Sequence, residues 1–166
     1  MIHASRLRWL ILTFVVVFLD RVSKAAIEGN TVEGWRHELV RNFIYLVHSR
    51  NTGIAFSMFA DGAAWTRYIL ISGSLIVIAI LAWYLVAGSA VSARAAAGLT
   101  LLLGGATGNI TDRILHGGVT DFFEVWFGSY RYPAFNVADS AITVGAILIL
   151  LDVLFPRRAA TSASLK

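Results

Sequence analysis

The sequence contains no cysteine. That excludes disulfides, thiol nucleophiles and cysteine-based zinc sites, and it leaves the redox compartment open. Charge is scarce as well: Asp, Glu, Lys and Arg make up 14% of the chain, where a soluble domain carries roughly 25%. The four histidines, His3, His37, His48 and His116, lack metal-ligand spacing. HELVR (37–41) ends in arginine, so it is not the HExxH of a zinc peptidase. A GxSxG turn is absent, and no nucleophile-plus-base arrangement supports a serine peptidase. The basic residues behind the net charge of +4 are scattered, so nucleic acid is not an expected partner. No cofactor or metal is expected either, and no internal repeat stands out.

What the chain has in quantity is hydrocarbon. Hydrophobic residues make up 57% of its 166 positions, and the mean hydropathy is +0.70. Those values place it in the membrane class, as one domain over residues 1–158. The expected fold is an α-helical integral membrane protein with four transmembrane helices, at approximately 9–27, 68–87, 95–111 and 135–155. The first apolar run, from Trp9 to Leu19, follows Arg6 and Arg8 like a secretory signal. It ends in Asp20-Arg21 instead of a small-residue cleavage site, so a retained helix is the preferred reading. The second span, Tyr68–Ala87, has the length that a hydrocarbon core of about 30 Å requires. Gly98, Gly104, Gly105 and Gly108 in the third allow close helix approach; for Gly98, packing alone suffices. The tail 159–166 is expected to be disordered and cytoplasmic.

Between the first two spans, Asn42–Ser49 and Ile54–Phe59 flank the polar joint Arg50-Asn51-Thr52-Gly53. This predicts a hairpin or small β-rich element at the extracytoplasmic bilayer surface. Between the last two, Asp121–Phe127 mixes two charges with four aromatics and predicts an interfacial aromatic loop. With four spans, every unusual polar residue shares one side: Asp20, Arg21, Lys24, Asn51, Asn109, Asp112, Arg113, Asp121, Asn136 and Asp139. The opposite side holds Arg6, Arg8, Arg94, Arg157, Arg158 and Lys166 in short flanks, which leans toward its being cytoplasmic. Ionisable groups at membrane depth are costly and signal function. Two aspartates meeting near a membrane surface, without cysteine or metal spacing, suggest an aspartyl hydrolase. Two other classes use such residues: a proton- or ion-coupled transporter, which prefers carboxylates near the midplane and broken or repeated helices, and a non-catalytic assembly subunit.

Five segments carry a resemblance: DRVSK (20–24), NTGIAFS (51–57), GGATGNITDR (104–113), VTDFF (119–123) and PAFNVADSAI (133–142). In this order, across four apolar runs, they resemble the motif set of the bacterial lipoprotein signal peptidases, signal peptidase II. The resemblance implies an aspartyl endopeptidase of the bacterial cytoplasmic (inner) membrane, with both termini cytoplasmic and its active site near the periplasmic face. The implied substrate is a diacylglyceryl-modified prolipoprotein, cut before the lipidated cysteine; the implied inhibitors are cyclic peptides of the globomycin type. It places the catalytic pair on Asp121 and Asp139, with supporting positions at Asp20, Lys24, Asn51, Gly53, Gly105, Asn109, Arg113 and Asn136. Departures from the family pattern are Ile54, Thr107 and Thr111. Membrane lipid and substrate are the expected partners, and the protein is expected to act as a monomer.

Elementary chemistry agrees with that assignment. Hydrolysing an amide without metal or covalent nucleophile needs a base for water and an acid for the leaving nitrogen. Two adjacent carboxyls supply both, because like charges at close range keep one proton between them. Asn136 lies one helical turn before Asp139, and Asn109 and Arg113 are an i, i+4 pair. The asparagines are expected to orient the carboxylates or the substrate backbone. Arg113 is either a fixed cation beside the acids or a contact to substrate carbonyls. Asp20 and Lys24 read equally as an ion pair within the first helix or as substrate contacts. Asp112 reads as a partner for a neighbouring base, and Glu124 as a solvated charge. Asp152 is expected near the opposite face, without a catalytic role. Residues 42–59 and 122–127 are expected to flank substrate entry, with Gly117, Gly118 and Gly128 serving as hinges or as plain turn residues.

Overall fold

A computed structural model of the protein describes residues 4–53, 64–87 and 92–155. The run Ile54–Phe59, including Ile54, and the tail 159–166 therefore lie outside the described residues. The described elements are four helices, α1 (Ala4–Asn30), α2 (Ala64–Ala87), α3 (Ala93–His116) and α4 (Val137–Leu154), and four strands, β1 (Arg36–Val40) and β2 (Ile44–Asn51) between α1 and α2, and β3 (Val119–Phe127) and β4 (Tyr130–Phe135) between α3 and α4. The helix ends have local causes. Ser92 caps α3 by accepting the Ala95 N–H at 3.0 Å, and its hydroxyl also donates to Asp152 on α4 at 2.6 Å. Asp152 is thus an interhelical tie at the end of α4 away from the aspartate pair. At the other end of α3, Gly117 takes φ 78°, the left-handed region where glycine carries no Cβ penalty, and returns its N–H to the Arg113 carbonyl.

Helix α3 is central and packs against α1, α2 and α4. Its glycines make this possible. A methyl group on Gly98 would lie 2.8 Å from the Gly145 carbonyl, and one on Gly105 would lie 2.4 Å from the Ala138 carbonyl. Gly105→Ala is therefore expected to destabilise the protein by about 1–3 kcal/mol through forced separation of α3 and α4. Gly29→Ala, with nothing within 4 Å of the new methyl, should not. Thermal unfolding of the two variants in detergent distinguishes them.

The distribution of polarity is the reverse of a soluble protein's. Among the described residues, the largest fully buried side chains are Lys24, Glu124, Asn136, Thr100, Thr120, Asp20 and Asp112, all polar. The exposed helix faces carry Phe14, Phe18, Ile69, Ile76, Trp83 and Leu150. An apolar exterior this extensive is stable against hydrocarbon, not water. Trp65–Val86 and Val137–Leu154 are long and apolar enough to cross a membrane, with hydropathies of 2.5 and 2.1. Helices α1 and α3 carry Asp20, Arg21, Lys24 and Glu28, and Asp112 and Arg113, toward their C-terminal ends.

The strands form one antiparallel sheet in the order β1-β2-β3-β4. The small β-rich element expected between the first two spans is part of this sheet. Ile44–Asn51 runs into the polar joint as one strand paired with β1, upstream, and any pairing of it with Ile54–Phe59 lies outside the described residues. The turn sits at Asn42, a residue type that tolerates its φ of 54°, with the Asn42 N–H bound by Glu38 Oε1 at 2.5 Å. The sequence reading of 121–127 as a loop is corrected: these residues are a strand. It pairs with β2 on one side and β4 on the other, and Gly128 makes the turn between β3 and β4 at φ 63°. Gly117 and Gly128 are thus a helix cap and a turn residue.

Candidate active site

The site is assembled where α4 begins. Asn136 caps that helix: its Oδ1 accepts the Asp139 N–H at 2.9 Å, and Asp139 Oδ2 accepts the Asn136 N–H at 3.3 Å. This reciprocal capping box makes Asp139 a first-turn residue with a fixed rotamer. The same Asn136 side chain is fully buried and donates through Nδ2 to Asp121 Oδ1 at 2.7 Å. One residue therefore binds both aspartates, one by its backbone and one by its amide. Each carboxylate has a second asparagine donor: Asn109 Nδ2 reaches Asp139 Oδ1 at 2.7 Å, and Asn51 Nδ2 reaches Asp121 Oδ2 at 3.2 Å. Asp121 is 3% exposed. Burial, then the neighbouring charge of Asp139, pushes its carboxyl up to about 7, against the opposing hydrogen bonds from Asn51 and Asn136.

Behind the asparagines lies an enclosed ionic layer. Lys24 Nζ contacts Asp20 Oδ2 at 2.7 Å, Asp112 Oδ2 at 2.9 Å and Asn109 Oδ1 at 3.2 Å. The side chains of Lys24, Asp20 and Asp112 are all fully buried, which favours the ion-pair reading of Asp20 and Lys24 over substrate contact. Asp20 also accepts the Ala138 N–H at 2.9 Å, tying α1 to the start of α4. Asp112 pairs with Arg21 as well, as a partner for neighbouring bases. Arg113 donates to the Gly53 carbonyl at 2.8 Å, and the Gly53 N–H returns to Asn51 Oδ1 at 3.0 Å, so Arg113, Gly53 and Asn51 form a chain ending at Asp121. Gly105 stands apart from these polar contacts as a helix-packing position. Thr107 and Thr111 bond carbonyls one turn earlier, each at 2.7 Å, and so sit within α3 without unmet polar groups.

A family model described as signal peptidase (SPase) II matches residues 12–155 of this chain. The chain belongs to the signal peptidase II family. A lipoprotein signal peptidase of Pseudomonas fluorescens is 41% identical over 150 residues, covering 90% of this chain and 88% of that protein. One from Vibrio cholerae is 36% identical, covering 96% and 94%. Among solved structures, a bacterial membrane enzyme determined by the in meso method at 2.3 Å resolution superposes with a TM-score of 0.82 at 26% identity, covering 96% and 94% of the two chains. A second, at 1.9 Å, gives 0.77 at 28% identity over 90% and 94%.

For this signal peptidase II sequence the structure also shows what residue-by-residue reading missed. Glu124 is not solvated: it is 2% exposed and bound by Trp126 Nε1 at 2.6 Å, Arg131 Nε at 2.6 Å and Arg36 at 3.1 Å. Its partners come from three strands, so it ties the sheet together. Thr120 and Glu28, joined at 2.5 Å beside Asp121, had also gone unnoticed.

Proposed function

We propose that this protein is a membrane aspartyl endopeptidase that removes the signal peptide from diacylglyceryl-modified prolipoproteins, cleaving before the lipidated cysteine. Family membership supports the substrate class. The observation that carries the mechanism is the Asn136 bridge, which holds Asp121 and Asp139 at one locus with Asp121 poised near neutrality. One carboxylate takes a proton from water as the water oxygen bonds to the scissile carbonyl carbon. The protonated partner gives its proton to the departing nitrogen as the C–N bond breaks. Which aspartate begins as base is a property of the pair. Asn109, Asn51 and Asn136 hold the carboxylates, leaving the acids free to exchange protons without reorganising. Arg113, tied to the Gly53 carbonyl, is read as a fixed cation beside the acids.

The four helices are read as four spans with both termini cytoplasmic, and the aspartate pair lies toward the outer face. The lipid tails of the substrate then stay in hydrocarbon while the scissile bond meets the carboxyls at the surface. The exposed apolar ends of the sheet, Phe43 and Phe127, flank that approach. The protein acts as a monomer and is inhibited by globomycin-type cyclic peptides.

The test is incubation of purified protein with a diacylglyceryl-modified prolipoprotein in EDTA, with products identified by mass. The expected product begins with the lipidated cysteine. A protein that is folded yet leaves this substrate intact overturns the reading.

A further inference from the structure

We propose that Thr120 and Glu28 are a positioning pair that fixes the strand carrying Asp121, making the end of α1 part of what sets the geometry of the carboxylates. This rests on the aspartate-pair reading and adds two residues outside it. Thr120 is fully buried, and each of its polar groups is engaged. Its N–H donates to Asp112 Oδ2 at 3.3 Å, its carbonyl accepts from Asn136 Nδ2 at 3.3 Å, and its hydroxyl donates to Glu28 Oε1 at 2.5 Å. Any residue at this position keeps the first two contacts. Only the third depends on the side chain, and it joins β3 to α1.

Successive side chains on a strand point to opposite faces, so Thr120 faces away from Asp121 and does not meet the reacting atoms. It acts through the backbone. Rotation of the strand at 120 carries the Asp121 carboxylate off the 2.7 Å bond from Asn136. A hydroxyl bound to a carboxylate is among the stronger hydrogen bonds, and a short, directed one resists that rotation. Glu28 is itself steadied: Arg21 lies 4.0 Å from one carboxylate oxygen and His116 4.0 Å from the other.

The experiment is a double-mutant cycle on the full chain, using Thr120→Val, Glu28→Ala and the pair, with Thr120→Ser as the conservative control. Thr120→Val should lower kcat about tenfold at unchanged KM, and Thr120→Ser should restore it to within about twofold. Glu28→Ala should match Thr120→Val, and the double variant should lose no more than either single one. Losses that multiply, a loss confined to KM, or wild-type turnover in Thr120→Val each overturn the proposal. If Thr120→Val does not fold, Glu28→Gln, which keeps an acceptor, is compared with Glu28→Ala: retention in the first and loss in the second supports the pair, and equal rates refute it. Asp121→Asn tests the aspartate pair separately, whichever way this cycle falls.

Discussion

Replacing Asp121 or Asp139 by asparagine is expected to lower kcat by about a thousandfold or more, with the protein still folded. The size follows from losing a proton carrier, since positioned acid–base groups each contribute about 10²–10⁴ and the two act as a unit. Asparagine keeps the shape of aspartate but cannot exchange the proton. At 121 it also meets two donors, Asn136 Nδ2 and Asn51 Nδ2, where an amide offers a single oxygen. At 139 the substitution weakens one arm of the helix cap, costing about 1 kcal/mol or less. Single-turnover rates on the lipid-modified substrate, beside circular dichroism and melting of each variant, measure both effects. Either variant retaining a tenth of the wild-type rate contradicts the dyad.

The second large effect lies in the enclosed ionic layer. Lys24→Met should destabilise the protein by about 3–5 kcal/mol, the range seen when one partner of a buried ion pair is removed. The ammonium serves Asp20, Asp112 and Asn109 together. Without it Asp20 has no cationic partner among the described residues, and Asp112 depends on Arg21 and the more distant His116. Activity should fall as well, because Asn109, whose amide is aimed at Asp139, loses the cationic one of the two donors on its Oδ1 and keeps only Asn136 Nδ2 at 3.3 Å. Lys24→Arg should not rescue, since a planar fork does not reproduce a compact ammonium in a closed space. Adding Asp20→Asn to Lys24→Met should recover part of the stability by removing one uncompensated charge. Unfolding midpoints in detergent and kcat for these variants decide the matter.

The helices and the polar constellation were legible because the chain is otherwise so apolar. Asp20, Lys24, Asn109, Asp112 and Asn136 stood out as exceptions within or beside hydrocarbon runs, although the contacts they make between elements needed the fold. The helices run further than the apolar stretches, α1 to Asn30 and α3 to His116, because their polar ends are enclosed by one another instead of by lipid. The sheet was much less legible. RHELV of β1 is exposed throughout and carries no alternating pattern. β3 pairs with a strand some seventy positions earlier, as the Ser49–Asp121 register shows. Glu124 looked solvated because Arg36 and Arg131, which neutralise it, are brought to it only by strand pairing. The Thr120–Glu28 bond was hidden for the same reason: nothing near either residue in sequence announces the other.

The shared proton is tested most directly by the pH dependence of kcat/KM for the lipid-modified substrate, measured with EDTA between about pH 5 and pH 9. The pair must hold the proton that the leaving nitrogen receives, and burial beside Asp139 pushes the Asp121 carboxyl up to about 7. As pH rises through that value the pair becomes doubly ionised and has no acid to offer. The expected result is an alkaline decline with an apparent midpoint near 7, approaching tenfold per pH unit beyond it. A rate that holds level or climbs to pH 9 would contradict a proton shared between Asp121 and Asp139.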